Sequence, residues 1–416
     1  MKAVILAAGR GKRLKSSRSK PITLLLARTL IDRVIDNLKK AGIDEIIVVY
    51  SDTKVEAHLE GKAKLVFNED VGRESGYSLL KGARVVGDED FLLLMSDHIF
   101  DSESLVKLLS SKPHITTLCI DRNLKCHDSE DATKVLVDRE GDVTNIGKEL
   151  KEYNAIDTGI FYCTPDVINI TSDFVGIFSV TDVMRELALK EKLKTFDITR
   201  GFWCDVDTRE KLKEAEDMLL NSLIKPTDGI ISKHINRKIS IKISKFLVNS
   251  HLTPNMISFI SFLFGLLSAA LFAMGQNIIA GIAVQISSIL DGCDGEIARL
   301  KGLISPSGYI FDAILDRYAD MLIFLGIIAS NPQSLWLVGG LAMLGSYSIS
   351  YTGSKAEFKG ITFTRLPEVL MNRDMRLFLI FLGGITGFLY AILVILALFT
   401  NLITFIRIFY FSKRYA

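Results

Sequence analysis

Between Asp291 and Asp316 the chain reads DGCDGEIARLKGLISPSGYIFDAILD, four aspartates at fixed offsets beside long apolar stretches. Asp291 and Asp294 are three residues apart and Asp312 and Asp316 four, so on helices each pair shares a face. Four acids at the edge of a membrane are too costly to keep unless positive charge neutralises them. A pair of divalent cations meets that need, and cations held by oxygen ligands commonly handle phosphates. The segment therefore calls for helices that bring these carboxylates together, and it points to an enzyme.

The rest of the chain divides into two unlike halves. Hydrophobic residues make up 49% and the mean hydropathy is +0.29, yet 24% of residues are charged. Up to about Lys225, charged and apolar runs alternate as in a globular α/β domain; beyond Asn255, long apolar stretches alternate with short polar turns. Six spans are expected, near 255–275, 278–300, 308–329, 334–355, 376–391 and 393–411, each close to the ~20 residues that cross a bilayer. Gly383, Gly384 and Gly387 either kink the fifth or mark its end. Charged loops near Lys301 and between Lys355 and Arg376, with Lys413 and Arg414 in the tail, put both ends and the acidic segment on the cytoplasmic side.

Before the first span, residues 229–249 place isoleucines at 231, 235, 239 and 243 among five lysines and arginines. This pattern predicts a basic amphipathic helix lying on the membrane surface. The five cysteines lack metal-ligand spacing and imply a reducing compartment. MKAVILAAGRGKRL is too short and too broken by glycine for a signal peptide. A formal net charge of +2 makes no case for nucleic acid, and none is expected as a partner.

Written as D-x-x-D-G-x-x-A-R, eight residues, then G-x-x-x-D-x-x-x-D, the acidic segment resembles the signature of the CDP-alcohol phosphotransferases, integral membrane enzymes that move a phospho-alcohol from a CDP carrier to a hydroxyl. Asp291, Asp294, Gly295, Ala298, Arg299, Gly308, Asp312 and Asp316 occupy its fixed positions. The resemblance implies that Asp291, Asp294 and Asp312 ligate metal, and that Asp316 ligates metal and also serves as general base. Gly295 and Gly308 let backbone approach a nucleotide closely, Ala298 is small on the same face, and Arg299 offers a fixed cation. Asp320 extends the row by one turn, outside the signature, as a supporting residue. Thr253-Pro254-Asn255 fits both a nucleotide contact by Asn255 and an ordinary helix start. Ser350, Lys355, Arg373 and Arg376 resemble the phosphate-holding positions of relatives that use inositol phosphate. Ordinary positive-inside enrichment explains the same cations.

At the other end, strand Ala3–Leu6 runs into a glycine-bearing basic loop and then into a helix from Leu30. Backbone N–H groups at Gly9 and Gly11, with Arg10, Arg13 and Lys20, suit a triphosphate. The opening resembles L-A-A-G-x-G-x-R-L followed by K-P, the mark of nucleotidyltransferases that make sugar nucleotides. That resemblance extends to Ser96-Asp97-His98 after an apolar strand, to Gly76-Tyr77-Ser78-Leu79 beside the base, to Asp157-Thr158-Gly159, and to Trp203-Cys204-Asp205-Val206-Asp207-Thr208. It implies Mg2+ on Asp97 and Asp207, with Lys20 and Arg13 serving the chemistry. Lys12 and the stretch Leu24–Arg28 depart from the pattern, so a domain that binds nucleotide without turning it over stays open.

The expected fold is thus an α/β Rossmann-like nucleotidyltransferase domain (1–225), a linker with an amphipathic interfacial helix (226–252), and an all-α six-helix transmembrane domain (253–416). Fusion of a nucleotidyltransferase to a CDP-alcohol consumer makes sense when the first supplies the second, which selects CTP. In this order the halves resemble a bifunctional family that makes CDP-inositol from CTP and inositol 1-phosphate. That family then transfers phosphoinositol to a second inositol 1-phosphate, releasing CMP, on the way to the osmolyte di-myo-inositol phosphate. The resemblance implies Mg2+, or Mn2+ in its place, in both domains, and a homodimer in the bilayer. The alternative is a phospholipid-making transferase with a regulatory or degenerate soluble module.

Overall fold

The computed structural model describes residues 1–9, 14, 18–124, 132–358 and 371–415, with side chains apart from those of 357–358 and 411–415. Its contacts divide the chain into two units, Met1–Leu219 and Leu220–Ala416.

The first unit is an α/β sheet domain. Its strands are β1 (Lys2–Ala7), β2 (Leu24–Leu25), β3 (Arg28–Thr29), β4 (Glu45–Tyr50), β5 (Lys64–Phe67), β6 (Phe91–Met95), β7 (His98–Phe100), β8 (Thr116–Asp121), β9 (Lys134–Val137), β10 (Val143–Gly147), β11 (Ala155–Cys163), β12 (Leu193–Asp197) and β13 (Trp203–Asp205). The helices are α1 (Leu30–Lys40), α2 (Thr53–Leu59), α3 (Glu74–Val86), α4 (Ser102–Ser110), α5 (Asp166–Asp173), α6 (Val180–Leu189) and α7 (Arg209–Asn221), the last crossing into the second unit.

The main sheet runs β10-β9-β11-β6-β1-β4-β5, with β8 against β11 and β12 against β8. From β6 to β5 the strands are parallel, while β11 runs antiparallel to β6. Val4 and Leu6 of β1 pack in one core and Ala3, Ile5 and Ala7 in the other. Both faces of the strand are covered, which is why its sequence is an unbroken apolar run. The chain leaves β1 for β4 on one side and returns to β6 on the other. Ligands in open α/β sheets bind beyond the carboxyl ends of strands at such a reversal, and here those ends carry Gly9 and Asp97.

The second unit is helical: α8 (Arg237–Leu247), α9 (Pro254–Ala273), α10 (Asn277–Lys301), α11 (Pro306–Ser330), α12 (Pro332–Phe358), α13 (Arg373–Thr386) and α14 (Leu389–Tyr415). Six helices among the described residues, α9 to α14, thus stand where six spans are expected. Among the described residues, α9, α10 and Leu389–Tyr410 of α14 are long and apolar enough to cross a membrane. The boundary between the last two spans differs from expectation. Gly387 takes the left-handed conformation (φ 77°) and stops α13 at Thr386, so the fifth helix has only 14 residues.

The amphipathic segment also differs in detail. It opens with a π-helical turn, Ser232–Asn236, before α8. The residues it buries against protein are Ser232, Asn236, Ser240, Ser244 and Val248, one per turn, while Ile239 stays exposed. What holds this polar stripe is Glu296, fully buried on α10. Its carboxylate accepts from Arg237 Nη1 (2.7 Å), Ser240 Oγ (2.6 Å) and Ser244 Oγ (2.7 Å). With three donors the buried charge is satisfied. Of the isoleucines at 231, 235, 239 and 243, only Ile239 is left outward, while Ile231 and Ile235 are half-buried and Ile243 packs against Ile257, Cys293 and Ile297.

Candidate active sites

In the first unit Pro21 sets a short 3-10 turn that buries Lys20 to 8% exposure. Its Nζ lies against carboxylate oxygens of both Asp97 and Asp207, with Asp205 Oδ1 at 3.7 Å. Asp97 leaves the end of β6. β7 then pairs antiparallel with β13, setting His98 opposite Asp205. The β11 bulge brings a third segment in: Gly159 has φ 70°, and a Cβ there would lie 2.4 Å from the His98 ring. His98 Nδ1 donates to Thr158 O (2.6 Å), leaving Nε2 toward Asp205 (3.6 Å) and Asp97 (3.8 Å).

These charges shift one another. Burial works against charge on Lys20, but Asp97, Asp205 and Asp207 outweigh it and hold the ammonium above its ordinary range. Burial likewise opposes ionisation of Asp97, and Lys20 and His98 overcome it, keeping that carboxyl below its usual value. His98 is raised: desolvation pulls it down, while Asp205 and Asp97 push it up by more. Desolvation dominates at Asp157 and Asp205, pushing each to about 6.

A cavity of about 480 Å3 opens here, lined by Gly9, Lys20 and Asp97 and by Glu74, Ser75 and Ser78. Gly76 is buried within α3, where a Cβ would meet the Phe178 ring at 2.2 Å, so its missing side chain serves close packing. Gly11 and Arg13, also expected at this site, lie outside the described residues. Asp205 stands in the same cluster as Asp207, the aspartate to which the sequence resemblance points. Asp97, His98 and Asp205 offer ligand atoms within 4.8 Å of one another, and Asp205 Oδ1 is buried without a hydrogen bond. An orphaned buried carboxylate oxygen beside a second carboxylate fits a hard divalent cation.

In the second unit, helix caps place the acidic residues. Ser305 Oγ accepts from Gly308 N (3.1 Å) with Pro306 at the first helical position, so Gly308, Asp312 and Asp316 fall on successive turns of α11. Asp291 faces them from α10. Asp291, Asp312 and Asp316 bring one oxygen each within 4.8 Å of one another, a donor set that fits Mg2+ or Mn2+. Asp294 sits deeper, accepting from Ser258 Oγ and from the Gly295 N–H.

Beside them is a cavity of about 280 Å3. Asn255, Asp294, Gly295, Ala298, Arg299, Gly308 and Asp312 line it, together with Lys225. Arg299 has Nε and Nη2 buried without a hydrogen-bond partner. A Cβ on Gly308 would crowd Ser305 Oγ at 3.0 Å and Asn255 Oδ1 at 3.4 Å.

On the other side of the acids, Arg373 reaches Asp291 (2.8 Å), Asp316 (2.9 Å) and Asp320 (2.9 Å) with one guanidinium. Asp320 also holds Arg376 (3.5 Å), which donates to Ser350 Oγ (2.9 Å) and Ser346 O (2.6 Å). Lys355 is exposed and lies over the Tyr351 ring (5.8 Å). Of the four residues expected to hold an acceptor phosphate, Ser350, Arg373 and Arg376 are thus linked to the acid cluster through hydrogen bonds and ion pairs.

The two sites define a two-domain transferase, a nucleotidyltransferase followed by a CDP-alcohol phosphotransferase. Residues 3–123 match the MobA-like NTP transferase domain, and residues 251–410 match CDP-alcohol phosphatidyltransferase. The "Bifunctional IPC transferase and DIPP synthase" of Aquifex aeolicus is 34% identical over 99% of this chain and 98% of its own. The protein of the same description from Thermococcus kodakarensis is 33% identical over 99% of this chain and 98% of its own. The chain belongs to this family of bifunctional IPC transferases and DIPP synthases. The archaetidylinositol phosphate synthase of Pyrococcus horikoshii is also 34% identical, over 42% of this chain and 90% of its own.

Proposed function

We propose that the chain makes CDP-inositol from CTP and inositol 1-phosphate and then transfers phosphoinositol to a second inositol 1-phosphate, releasing CMP. The carrying observation is the end-to-end likeness to relatives described as performing both steps, with both sites present in one chain.

In the first step an oxygen of inositol 1-phosphate attacks the α-phosphorus of CTP, and the bond to pyrophosphate breaks. Both reactants are anionic, so the protein's task is alignment and charge neutralisation. Lys20 supplies one cation, and Arg13 and the N–H groups of Gly9 and Gly11 are assigned to the phosphates. Asp97 with Asp207 would hold the metal, and Asp205, whose ligand oxygen stands within 4.8 Å of the ligand atoms of Asp97 and His98, would be a further ligand.

In the second step Asp316 takes the proton from the acceptor hydroxyl, whose oxygen attacks the inositol-bearing phosphorus of CDP-inositol as the bond to CMP breaks. Asn255, Gly295, Ala298, Arg299 and Gly308 would seat the nucleotide. Ser350, Lys355, Arg373 and Arg376 would seat the acceptor's phosphate. Mg2+ or Mn2+ on Asp291, Asp294, Asp312 and Asp316 would stabilise charge growing on departing CMP. The soluble unit and both sites are assigned to the cytoplasmic side, with residues 1–225, 226–252 and 253–416 as the working divisions and a homodimer as the membrane form.

Likeness to an archaetidylinositol phosphate synthase favours one alternative, a lipid as one partner of the second step. Purified protein in detergent with CTP, Mg2+ and inositol 1-phosphate, followed by 31P NMR, separates them. The main reading expects pyrophosphate, then CMP and a new phosphodiester. Pyrophosphate without a phosphodiester transfers the second step to a lipid. Consumption of added CDP-inositol with no pyrophosphate from CTP would overturn the bifunctional reading.

A further inference from the structure

The lining of the first unit's cavity is of two kinds. Gly9, Lys20 and Asp97 suit phosphates, and Val71, Gly72, Glu74, Ser75 and Ser78 come from a separate segment of the chain. There Glu74 stands at φ 62°, ψ −165°. That region is nearly reserved for glycine and persists only where the surroundings enforce it. The enforcement is visible on both flanks. Arg73 Nε donates to Gly176 O (3.0 Å), Gly76 N donates to Phe178 O (3.0 Å), and Val180 N donates to Ser75 Oγ (3.1 Å). Pinned on either side to the 176–180 segment, the backbone cannot relax at residue 74. Glycine would sit there without strain, yet the position holds a long acidic side chain that lines the cavity.

A carboxylate is a poor neighbour for a triphosphate, so within a nucleotide pocket its favourable place is against the uncharged base. An ionised carboxylate only accepts hydrogen bonds. Cytosine presents a 4-amino donor where uracil presents an acceptor oxygen, so a carboxylate at that edge rewards one base and repels the other. We propose that Glu74 selects cytosine over uracil by accepting from the 4-amino group of CTP. The assignment rests on the first unit being a CTP-using transferase.

The test measures pyrophosphate release by the full-length protein with inositol 1-phosphate and either CTP or UTP, for the parent, Glu74→Ala and Glu74→Gly. Both variants should lower kcat/KM for CTP at least tenfold and leave UTP unchanged or improved. Glu74→Gly should also unfold at the same or a higher temperature, since it removes the strain, and so guards against a folding artefact in Glu74→Ala. A CTP-to-UTP ratio within twofold of the parent's in Glu74→Gly would overturn the proposal, as would a rise in KM confined to inositol 1-phosphate. A parent protein that releases no pyrophosphate from CTP would instead defeat the reading on which the assignment rests.

Discussion

Each unit gathers carboxylates around a cation of its own, but the two do so with different chemistry. In the first unit the cation is Lys20, a single ammonium on a long stem, held against Asp97 and Asp207. In the helical unit it is Arg373, a planar fork that spans Asp291, Asp316 and Asp320 at once. An ammonium is a strongly hydrated point charge that can follow a moving phosphate, whereas a guanidinium keeps fixed directions. The contrast suits an open pocket that admits a triphosphate and a helix-bound site that must hold two substrates in line. It also shows that acids alone do not describe either site, because the paired cation sets how much charge a ligand or metal must bring.

If the sites are independent, single changes should separate them. Asp316→Asn removes the assigned base and should cut phosphodiester formation by about 10^2- to 10^4-fold. Pyrophosphate release from CTP should stay within a factor of two, both read from one 31P time course. Lys20→Ala should do the reverse, lowering pyrophosphate release by about 10^2- to 10^3-fold while supplied CDP-inositol is still consumed. Loss of both activities from either change would break the picture of two separable centres.

Arg373→Lys sharpens the contrast between fork and point charge. A lysine cannot span three carboxylates, so KM for the acceptor should rise about tenfold, with a smaller fall in kcat. An unchanged KM would remove Arg373 from acceptor binding.

The smallest expected effect is on stability and is specific to the site of the first unit. Burial raises Asp157 to about 6, above its unfolded value, so it favours the fold when protonated. That contribution is complete below pH ~4 and is lost as pH rises through about 6. Asp157→Asn lacks this loss and should gain stability relative to the parent between those pH values, by at most about 3 kcal/mol. Calorimetry in EDTA reads the difference, and a constant offset across pH would contradict the assignment.

Much of both sites is legible in the chain because helices and strands convert spacing into position. Asp291, Asp312 and Asp316 meet because offsets of three and four return to one helix face, and β6 ends where its apolar run ends. The place of Asp205 is not legible in the sequence, because Asp205 and Asp207 flank the end of one short strand and only pairing sets Asp205 opposite His98. Glu296 was invisible for another reason. Its donors lie over 50 residues earlier on α8, and the serines that bury themselves against it look, in sequence, like the solvated face of an isoleucine helix. The end of α13 was left open between three glycines, since φ and not composition decides which one stops a helix.

That early stop has a consequence for how substrates arrive. At ~1.5 Å per residue, the 14 residues of α13 extend about 21 Å, well short of the ~30 Å hydrocarbon thickness. The 27 residues of α12 extend about 40 Å and overrun it. A short helix among long ones is relieved by thinning of the surrounding lipid and by side chains stretching to the headgroups. Arg373 opens the short helix, so a bilayer thinned around it would bring the aqueous boundary toward the acids. A phosphorylated, water-soluble acceptor would then meet the acids from the aqueous side, without ever entering oil.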